Sequence, residues 1–370
     1  MANQINLLLM PTDQCNMRCK YCFHGDEGYC ADVMDIDIFK RIIDVVSSKW
    51  NRIQIVWHGG EPLTVPLSFY REAYAYCNSQ KNNFVFSIQT NATLLTYENI
   101  LFFKENATRF GISYDGLTHD LVRGNGKIIR DNIALLNELD IYPGAILVVT
   151  KKNVHHLADE YEHFKGMNLS LKLNPMFVDG SAKYNNVGYA LDVEEYCQSF
   201  IDFFKYWIND SNCNINVQTC YDYVKLIMGH HASVCSYNSC VGKWFCINYK
   251  GNIYPCDRLY DERFCFGNIM DYEDFEDVFE NNTFKNLLKS SIQRREFCRR
   301  HCEIFDKCRG GCNASAHLGK GISCAQSDFC TIQKTIIREL TPLVIKATSE
   351  QRKTLNPKFI SLRDKLIHDN

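Results

Sequence analysis

Cys15-Asn16-Met17-Arg18-Cys19-Lys20-Tyr21-Cys22 carries three thiols in a C-x3-C-x2-C spacing directly after a short apolar run, Ile5 to Met10. Three thiolates on one tight loop can hold three corners of an iron–sulfur cube. The fourth iron is then open to a small molecule, as an open position separates catalytic from structural zinc. The residues downstream of that loop decide what such an iron would serve.

Short apolar, β-rich runs recur along the chain. Strands are expected at Ile5–Met10, Ile53–Trp57, Phe84–Ile88, Phe110–Tyr114, Ala145–Val149 and Leu169–Leu173. Helical patterns separate them at Ile36–Lys49, Leu67–Gln80, Thr96–Glu105, Ile128–Leu139 and Val154–Lys165. Apolar strands alternating with helices imply a parallel sheet buried on both faces. Six such units make an open doubly wound sheet or a partial barrel. No G-x-G-x-x-G stands after the first strand, which weakens a dinucleotide-binding reading.

In α/β folds of this kind, ligands sit beyond the carboxyl ends of the strands. Polar and glycine residues concentrate there. Strand one leads into the three cysteines. Strand two ends in His58-Gly59-Gly60-Glu61-Pro62, strand three in Gln89-Thr90-Asn91 and strand four in Ser113-Tyr114-Asp115-Gly116.

Composition narrows the class. The chain has 370 residues, 46% of them hydrophobic, enough for one large domain or two. A net charge of −2 gives no basic excess of the nucleic-acid-binding type. The first apolar run is too short for a signal segment or membrane span, so a reducing cytoplasm is the expected compartment, with no membrane association. Nineteen cysteines in that setting point to metal binding rather than disulfides. They are sparse between residues 30 and 212 and dense from Cys213 to Cys330, which suggests two modules. The expected division is a barrel over 1–225, a cysteine-rich module over 226–335 and a helical tail over 336–370. The tail is expected as helices Ile332–Ala347 and Pro357–His368, packed on the barrel.

The cysteine loop, the Gly59-Gly60-Glu61-Pro62 stretch and the Ser113-Tyr114-Asp115-Gly116 stretch together resemble the radical S-adenosylmethionine (SAM) enzymes, in that family's order and at similar separations. The resemblance implies an α/β fold, a partial (β/α)6 TIM barrel, and a [4Fe-4S] cluster on Cys15, Cys19 and Cys22. SAM would chelate the open iron and be cleaved reductively to methionine and a 5′-deoxyadenosyl radical; the cofactor carries the difficult chemistry. Family matching puts Tyr21 near the adenine, Gly59, Gly60 and Glu61 on the SAM amino group, Ser113 and Asp115 at the ribose, and Arg123 on the carboxylate; Asn91 joins the cofactor-binding set. A carboxylate suits an ammonium, and a guanidinium offers a carboxylate two parallel donors. Arg123 also reads as a solvated loop cation.

Further on, Cys240-x10-Gly251-x4-Cys256 encloses a hairpin signal at Tyr249–Tyr254, and Cys302-x5-Cys308-x3-Cys312 forms a second knot before Cys330. This resembles the SPASM extension of radical SAM enzymes that modify peptides and proteins. The resemblance implies two auxiliary [4Fe-4S] clusters, three clusters in all. Cys235, Cys240, Cys256 and Cys312 would hold the first auxiliary cluster. Cys298, Cys302, Cys308 and Cys330 would hold the second. One departure stands out: three residues, not two, separate Cys298 from Cys302, which leaves the ligand role of Cys298 open. Cys246 reads as a strand residue packed in a core, with ligation in place of Cys235 as the other reading. Cys30, Cys77, Cys197, Cys213, Cys220, Cys265 and Cys324 read as small apolar residues. Spacing alone admits four-thiolate zinc as a competitor.

Over nearly its whole length the chain resembles the anaerobic sulfatase-maturating enzymes, through Gln89-Thr90-Asn91, Ser113-x-Asp115-Gly116, Val148-Val149-Thr150, Tyr254-Pro255-Cys256-Asp257, Gly267-Asn268-Ile269 and Arg309-Gly310-Gly311-Cys312. Those enzymes oxidise a sulfatase Cys or Ser to formylglycine. The general base proposed for that family matches Asp257, beside Cys256; Asp257 reads equally as a turn residue bonded to local backbone. His58 stands where that family usually has Gln, and Ala92 where it usually has Gly. His58 reads as a proton shuttle, a SAM contact or a structural histidine. The same architecture serves maturases of ribosomally made peptides, which build thioethers and crosslinks. Because of His58 and Ala92, installing a crosslink or thioether in a ribosomal peptide is the first expectation, formylglycine formation the alternative, and a non-catalytic iron–sulfur or zinc protein the second alternative. A small-molecule substrate is disfavoured by the SPASM half. Expected partners are a peptide or protein substrate, a separate peptide-recognition protein (the first strand starts too early for a fused one) and a reductant such as flavodoxin or ferredoxin.

Overall fold

The computed structural model describes residues 4–22, 32–176, 188–237, 240–319, 328–349 and 355–368. The strands are β1 Gln4–Met10, β2 Arg52–Trp57, β3 Asn83–Thr90, β4 Arg109–Ser113, β5 Gly144–Val149, β6 Ser170–Pro175, β7 Trp244–Asn248 and β8 Ile253–Tyr254. The helices are α1 Ile36–Ser47, α2 Leu67–Ser79, α3 Tyr97–Glu105, α4 His119–Val122, α5 Gly126–Glu138, α6 Leu157–Gly166, α7 Val193–Ile208, α8 Gln218–Ile227, α9 Glu276–Glu280, α10 Asn282–His301, α11 Phe305–Cys308, α12 Asn313–Gly319, α13 Asp328–Ser349 and α14 Pro357–His368. All six strands expected from the apolar runs form. Thr96 is the cap of α3 rather than its first helical residue, with Asn99 closing the reciprocal capping box.

By packing, the chain divides into two units. One comprises Met1–Ser113, Asn125–Pro143 and Cys240–Ser291; the other comprises Tyr114–Gly124, Gly144–Ser239 and Ile292–Asn370.

In the first unit the strand order is β4-β3-β2-β1-β7-β8. Neighbours are parallel except the β7–β8 hairpin. The hairpin expected around Gly251 is therefore not confined to a separate module: β7 pairs with β1, from Asn6↔Trp244 to Met10↔Asn248. A parallel sheet that begins at β1 would otherwise present an unpaired edge, and β7 covers it. Gly251, at φ 87°, makes the turn that only a residue without Cβ adopts freely.

Burial corrects one expectation. The strands are not equally buried on both faces. Ile5, Leu7 and Leu9 on β1, and Ile53, Ile55 and Trp57 on β2, are wholly buried, while Asn6, Leu8, Gln54 and Val56 are half-buried. Trp57 stacks on Phe39 of α1 at 5.6 Å, so the buried face is the one under the helices. The opposite face is less densely covered, and it carries His58.

In the second unit β5 and β6 pair in parallel, Gly144↔Ser170 to Val149↔Pro175. The tail helix α13 packs against α7 and α8, with Tyr237 Oη donating to Gln333 at 2.9 Å. Asn356 caps α14 and donates from Nδ2 to the Trp207 carbonyl. Among the described residues, no helix is long and apolar enough to cross a membrane.

Candidate functional site

The cysteine loop is held by backbone fit. The Gly60 N–H donates to the Thr12 carbonyl at 3.1 Å, and the Glu61 N–H donates to the Gln14 carbonyl at 2.7 Å. The approach is so close that a Cβ on Gly60 would lie 2.2 Å from the Gln14 oxygen, and one on Gly59 would lie 2.5 Å from the Thr12 oxygen. The two glycines after β2 therefore form the floor on which the loop after β1 rests. Within the loop, Cys22 N–H donates to the Cys19 carbonyl at 3.0 Å, and Met17 N–H points at Cys15 Sγ at 3.4 Å. Cys15, Cys19 and Cys22 are half-buried, and Tyr21, which lies between two of them in sequence, is buried. Burial pushes the Cys15 thiol up to about 11, the Met17 N–H opposes this, and Glu61, Cys19 and Cys22 add to it. Three acidic donors crowded into one half-buried turn call for a cationic partner, which would reverse that shift. The donor set fits a cluster iron trio.

Glu61 is 1% exposed. Its carboxylate accepts from Leu63 N–H (2.9 Å), Thr90 Oγ1 (2.7 Å) and Asn91 N–H (2.7 Å). It thereby binds the turn after β2 to the turn after β3. Asn91 in turn donates from Nδ2 to Asn16 Oδ1 at 2.9 Å, with Cys15 Sγ 4.0 Å away. Glu61, Asn91 and the cysteine loop thus form one connected frame. Ala92 comes next at φ 61°, a left-handed conformation that favours glycine. Its N–H donates to Thr90 Oγ1 and its carbonyl accepts from Asn132.

On the less buried face of the same unit, His58 follows Trp57, which pairs with Ile88, and Gln89 Nε2 donates to Ser113 Oγ at 3.0 Å. His58 Nδ1 is buried with no hydrogen-bond partner among the described residues. Burial pushes this imidazole below its ordinary range, and the charge of the Asp257 carboxylate pulls the other way. Asp257 opens the short helical turn Asp257–Leu259 directly after Cys256. A second carboxylate, Asp13, is raised by burial and accepts from Tyr260 Oη at 3.2 Å; Tyr260 Oη accepts from Asn248 Nδ2 at 2.9 Å. Cys246 is wholly buried against Met10, its thiol 3.3 Å from the Met10 sulfur, which is the packing role expected of it.

The second unit holds the other cofactor-binding candidates. Asp115 is wholly buried, accepting from Val148 N–H (2.8 Å) and from Arg123 Nε (2.9 Å). Arg123 is therefore the partner of a buried carboxylate rather than a solvated loop cation. Asp115 N–H donates to His119 Nδ1, and His119 Nε2 lies 3.0 Å from the Gly124 carbonyl; burial lowers this imidazole to about 4, leaving it neutral. Glu160 of α6 was not singled out by sequence. It is wholly buried, accepts from Leu117 N–H at 2.8 Å and sits where a Cβ on Gly116 would lie 1.8 Å from its Oε2. Burial raises its carboxyl to about 7.

Of the eight candidate auxiliary ligands, Cys240 and Cys256 belong to the first unit and Cys235 and Cys312 to the second. The remaining four converge. Cys298, Cys302, Cys308 and Cys330 line one recess of about 450 Å³ together with Phe297, His301, Ile304, Phe305, Gly310 and Lys334. Cys298 and Cys302 stand one helical turn apart, the Cys302 N–H donating to the Cys298 carbonyl at 2.8 Å. Three intervening residues make one turn, which puts both thiols on one side of the recess, so the wider spacing is compatible with Cys298 as a ligand. Behind the recess, the buried Arg294 guanidinium donates to the Cys312 carbonyl at 2.9 Å. Among the described residues, no three His, Cys, Asp or Glu side chains meet as a single metal ion requires. Cys77, Cys197, Cys213 and Cys220 are buried as expected of small apolar residues, and Cys265 is half-buried; Cys30 and Cys324 lie outside the described residues.

Residues 9–164 match the radical SAM superfamily, and residues 235–303 match the SPASM iron–sulfur cluster-binding domain. The chain is 27% identical to a cysteine-type anaerobic sulfatase-maturating enzyme of Clostridium novyi, over 83% of this chain and 87% of that one. It is 25% identical to a serine-type enzyme of Bacteroides thetaiotaomicron, over 80% of each. Its fold matches native anSMEcpe solved with AdoMet and the Kp18Cys peptide, with TM-score 0.83 at 24% identity, covering 94% of this chain and all of that one. It also matches Streptococcus suis SuiB bound to S-adenosylmethionine, with TM-score 0.62 at 14% identity, covering 89% and 77%. The chain is an enzyme that carries a radical SAM domain and a SPASM iron–sulfur cluster-binding domain, with a parallel-sheet α/β partial barrel and C-terminal helices.

Proposed function

We propose that this enzyme oxidises a Cys or Ser side chain in a peptide or protein to an aldehyde, as sulfatase maturases do. The observation that carries this reading is that the first unit holds both the loop thiols and a buried His58, its Nδ1 without a hydrogen-bond partner among the described residues, within electrostatic reach of Asp257. The names of the relatives support it. Ala92 occupies a left-handed position where a glycine would relieve strain, which supports a backbone rather than a substrate reading of that departure.

Cys15, Cys19 and Cys22 hold the SAM-binding cluster, and the eight later thiolates hold two auxiliary clusters. When bound, these groups supply a radical that takes one β-hydrogen atom and a route for one electron. The residues of the chain manage the rest. Asp257 accepts the proton of the substrate thiol or hydroxyl, so that loss of one hydrogen atom, one proton and one electron leaves a C=S or C=O bond. Water converts the C=S product to the aldehyde with loss of hydrogen sulfide. His58 Nδ1 gives the substrate a hydrogen-bonding site beside Asp257. Glu61, whose carboxylate already has three donors, frames the SAM site through the backbone of residues 59–61 and through Asn91. Asp115, Ser113 and Tyr21 serve the nucleoside, with Arg123 held by Asp115.

The test is an anaerobic assay with reconstituted protein, SAM, dithionite and a Cys- or Ser-containing sulfatase-type peptide. Hydrazide labelling should reveal an aldehyde alongside 5′-deoxyadenosine. Asp257→Asn should keep SAM cleavage while lowering aldehyde formation by about 10²-fold or more. Loaded protein that never cleaves SAM would end the enzymatic reading. The second reading, a crosslink or thioether in a ribosomal peptide, is favoured by His58; a product two hydrogens lighter with no hydrazide label would select it.

A further inference from the structure

The recess formed by Cys298, Cys302, Cys308 and Cys330 has an uneven charge. Among the described residues lining it, Lys334 carries the fixed charge, and no carboxylate takes part. Lys334 arises from the same helix as Cys330: the two are separated by one turn of α13 and so share a face. Arg294, 6% exposed and fixed by its bond to the Cys312 carbonyl, adds a second cation behind the thiols. Lys334 lines the same recess as the four thiols, which puts its ammonium within reach of the sulfurs. Apart from the His301 ring and Gly310, the remaining lining is apolar, from Phe297, Ile304 and Phe305, which lowers local screening and strengthens any charge that remains.

A cluster held by four thiolates becomes one unit more negative on reduction. The couple is one electron in, from an external reductant, with no bond made or broken. A cation at the wall favours the reduced form; charge, burial and hydrogen bonds around the sulfurs are the protein's means of setting the potential. We propose that Lys334 raises the reduction potential of the cluster in this recess, so that the tail helix supplies both a ligand, Cys330, and the charge that makes the cluster easier to reduce. This rests on the reading that the four thiolates hold a cluster.

The test is a potentiometric titration of the anaerobically reconstituted full chain, monitored by electron paramagnetic resonance, with iron content measured in parallel. Cys302→Ala identifies the signal belonging to the recess. Lys334→Met keeps a long apolar stem without the charge, and Lys334→Arg restores the charge. At the potential where the wild-type recess cluster is half reduced, Lys334→Met should leave about a tenth reduced. That is near a tenfold change, or 59 mV for a one-electron couple. Lys334→Arg should stay near the wild-type value. An unchanged midpoint in loaded Lys334→Met overturns the proposal. Loss of recess iron in Lys334→Met also overturns it, since the lysine is then a structural cap. A Cys302→Ala protein that keeps all its iron and every signal removes the underlying cluster reading, and the proposal with it.

Discussion

At Cys15, Cys19 and Cys22 the thiols ride on a loop that rests on a floor of two glycines, whereas Cys298, Cys302 and Cys330 ride on or beside long helices. The first arrangement is fixed by contact between two backbones, so it tolerates no added atom. The second is fixed by helical periodicity, which has more than one solution. Three residues between Cys298 and Cys302 work because they complete a turn. The two units also differ in how they bury a glutamate. Glu61 has three donors on its two oxygens. Glu160 Oε2 accepts from Leu117 N–H, but its Oε1 is buried with no partner among the described residues. Backbone closure dominates one unit and burial the other.

The largest expected effect tests the backbone floor. Gly60→Ala puts a methyl 2.2 Å from the Gln14 oxygen and 2.5 Å from the Asp13 oxygen, both main-chain atoms with nowhere to go. The cost should exceed about 4 kcal/mol or force the cysteine loop off its site. Urea unfolding together with iron content checks this. A variant that loads the SAM-binding iron normally at wild-type stability would show that the floor yields, and the contrast between the two thiol sites would disappear.

A smaller effect tests the burial side. The Glu160 carboxyl is raised from 4.5 to about 7 in the folded chain. Between those values the folded chain keeps a proton that the unfolded chain has lost. Stability therefore falls as pH rises across this window and is level above it, by up to about 3 kcal/mol. Glu160→Gln keeps the oxygen that Leu117 N–H needs but does not titrate. The difference in unfolding free energy between wild type and variant should change steadily from about pH 4.5 to about pH 7, measured in urea. Parallel curves for the two proteins would mean Glu160 is ionised in the fold.

The same contrast explains what could be read in the sequence. The six core strands were legible because buried runs such as Ile53 to Trp57 and Ala145 to Val149 have few other uses, and the triad was legible because loop spacing is local. Strand β7 joining β1 was not legible, because 237 positions of chain separate Asn6 from Lys243, whose carbonyl it contacts, and nothing local marks the pairing. Glu160 gave no signal, since its role depends on Gly116 lying under it. Lys334 was open to discovery: a lysine four residues after a candidate ligand on a helical pattern shares its face.

The smallest effect returns to the loop-built site. Ala92 is wholly buried at φ 61°, between the Thr90 hydroxyl and the Asn132 amide. A side chain in the left-handed region costs roughly 1–2 kcal/mol, while glycine gives back roughly 0.5–1 kcal/mol through the freedom of the unfolded chain. Ala92→Gly should therefore gain about 0.5 kcal/mol, read as a small upward shift in the urea midpoint with the same slope. SAM cleavage and peptide turnover should not change, since the Asn91 contacts to Asn16 and Glu61 do not involve the Ala92 side chain. If the glycine variant instead alters which peptides are turned over, the methyl at position 92 reaches the substrate, and the loop that backbone strain accounts for becomes part of specificity.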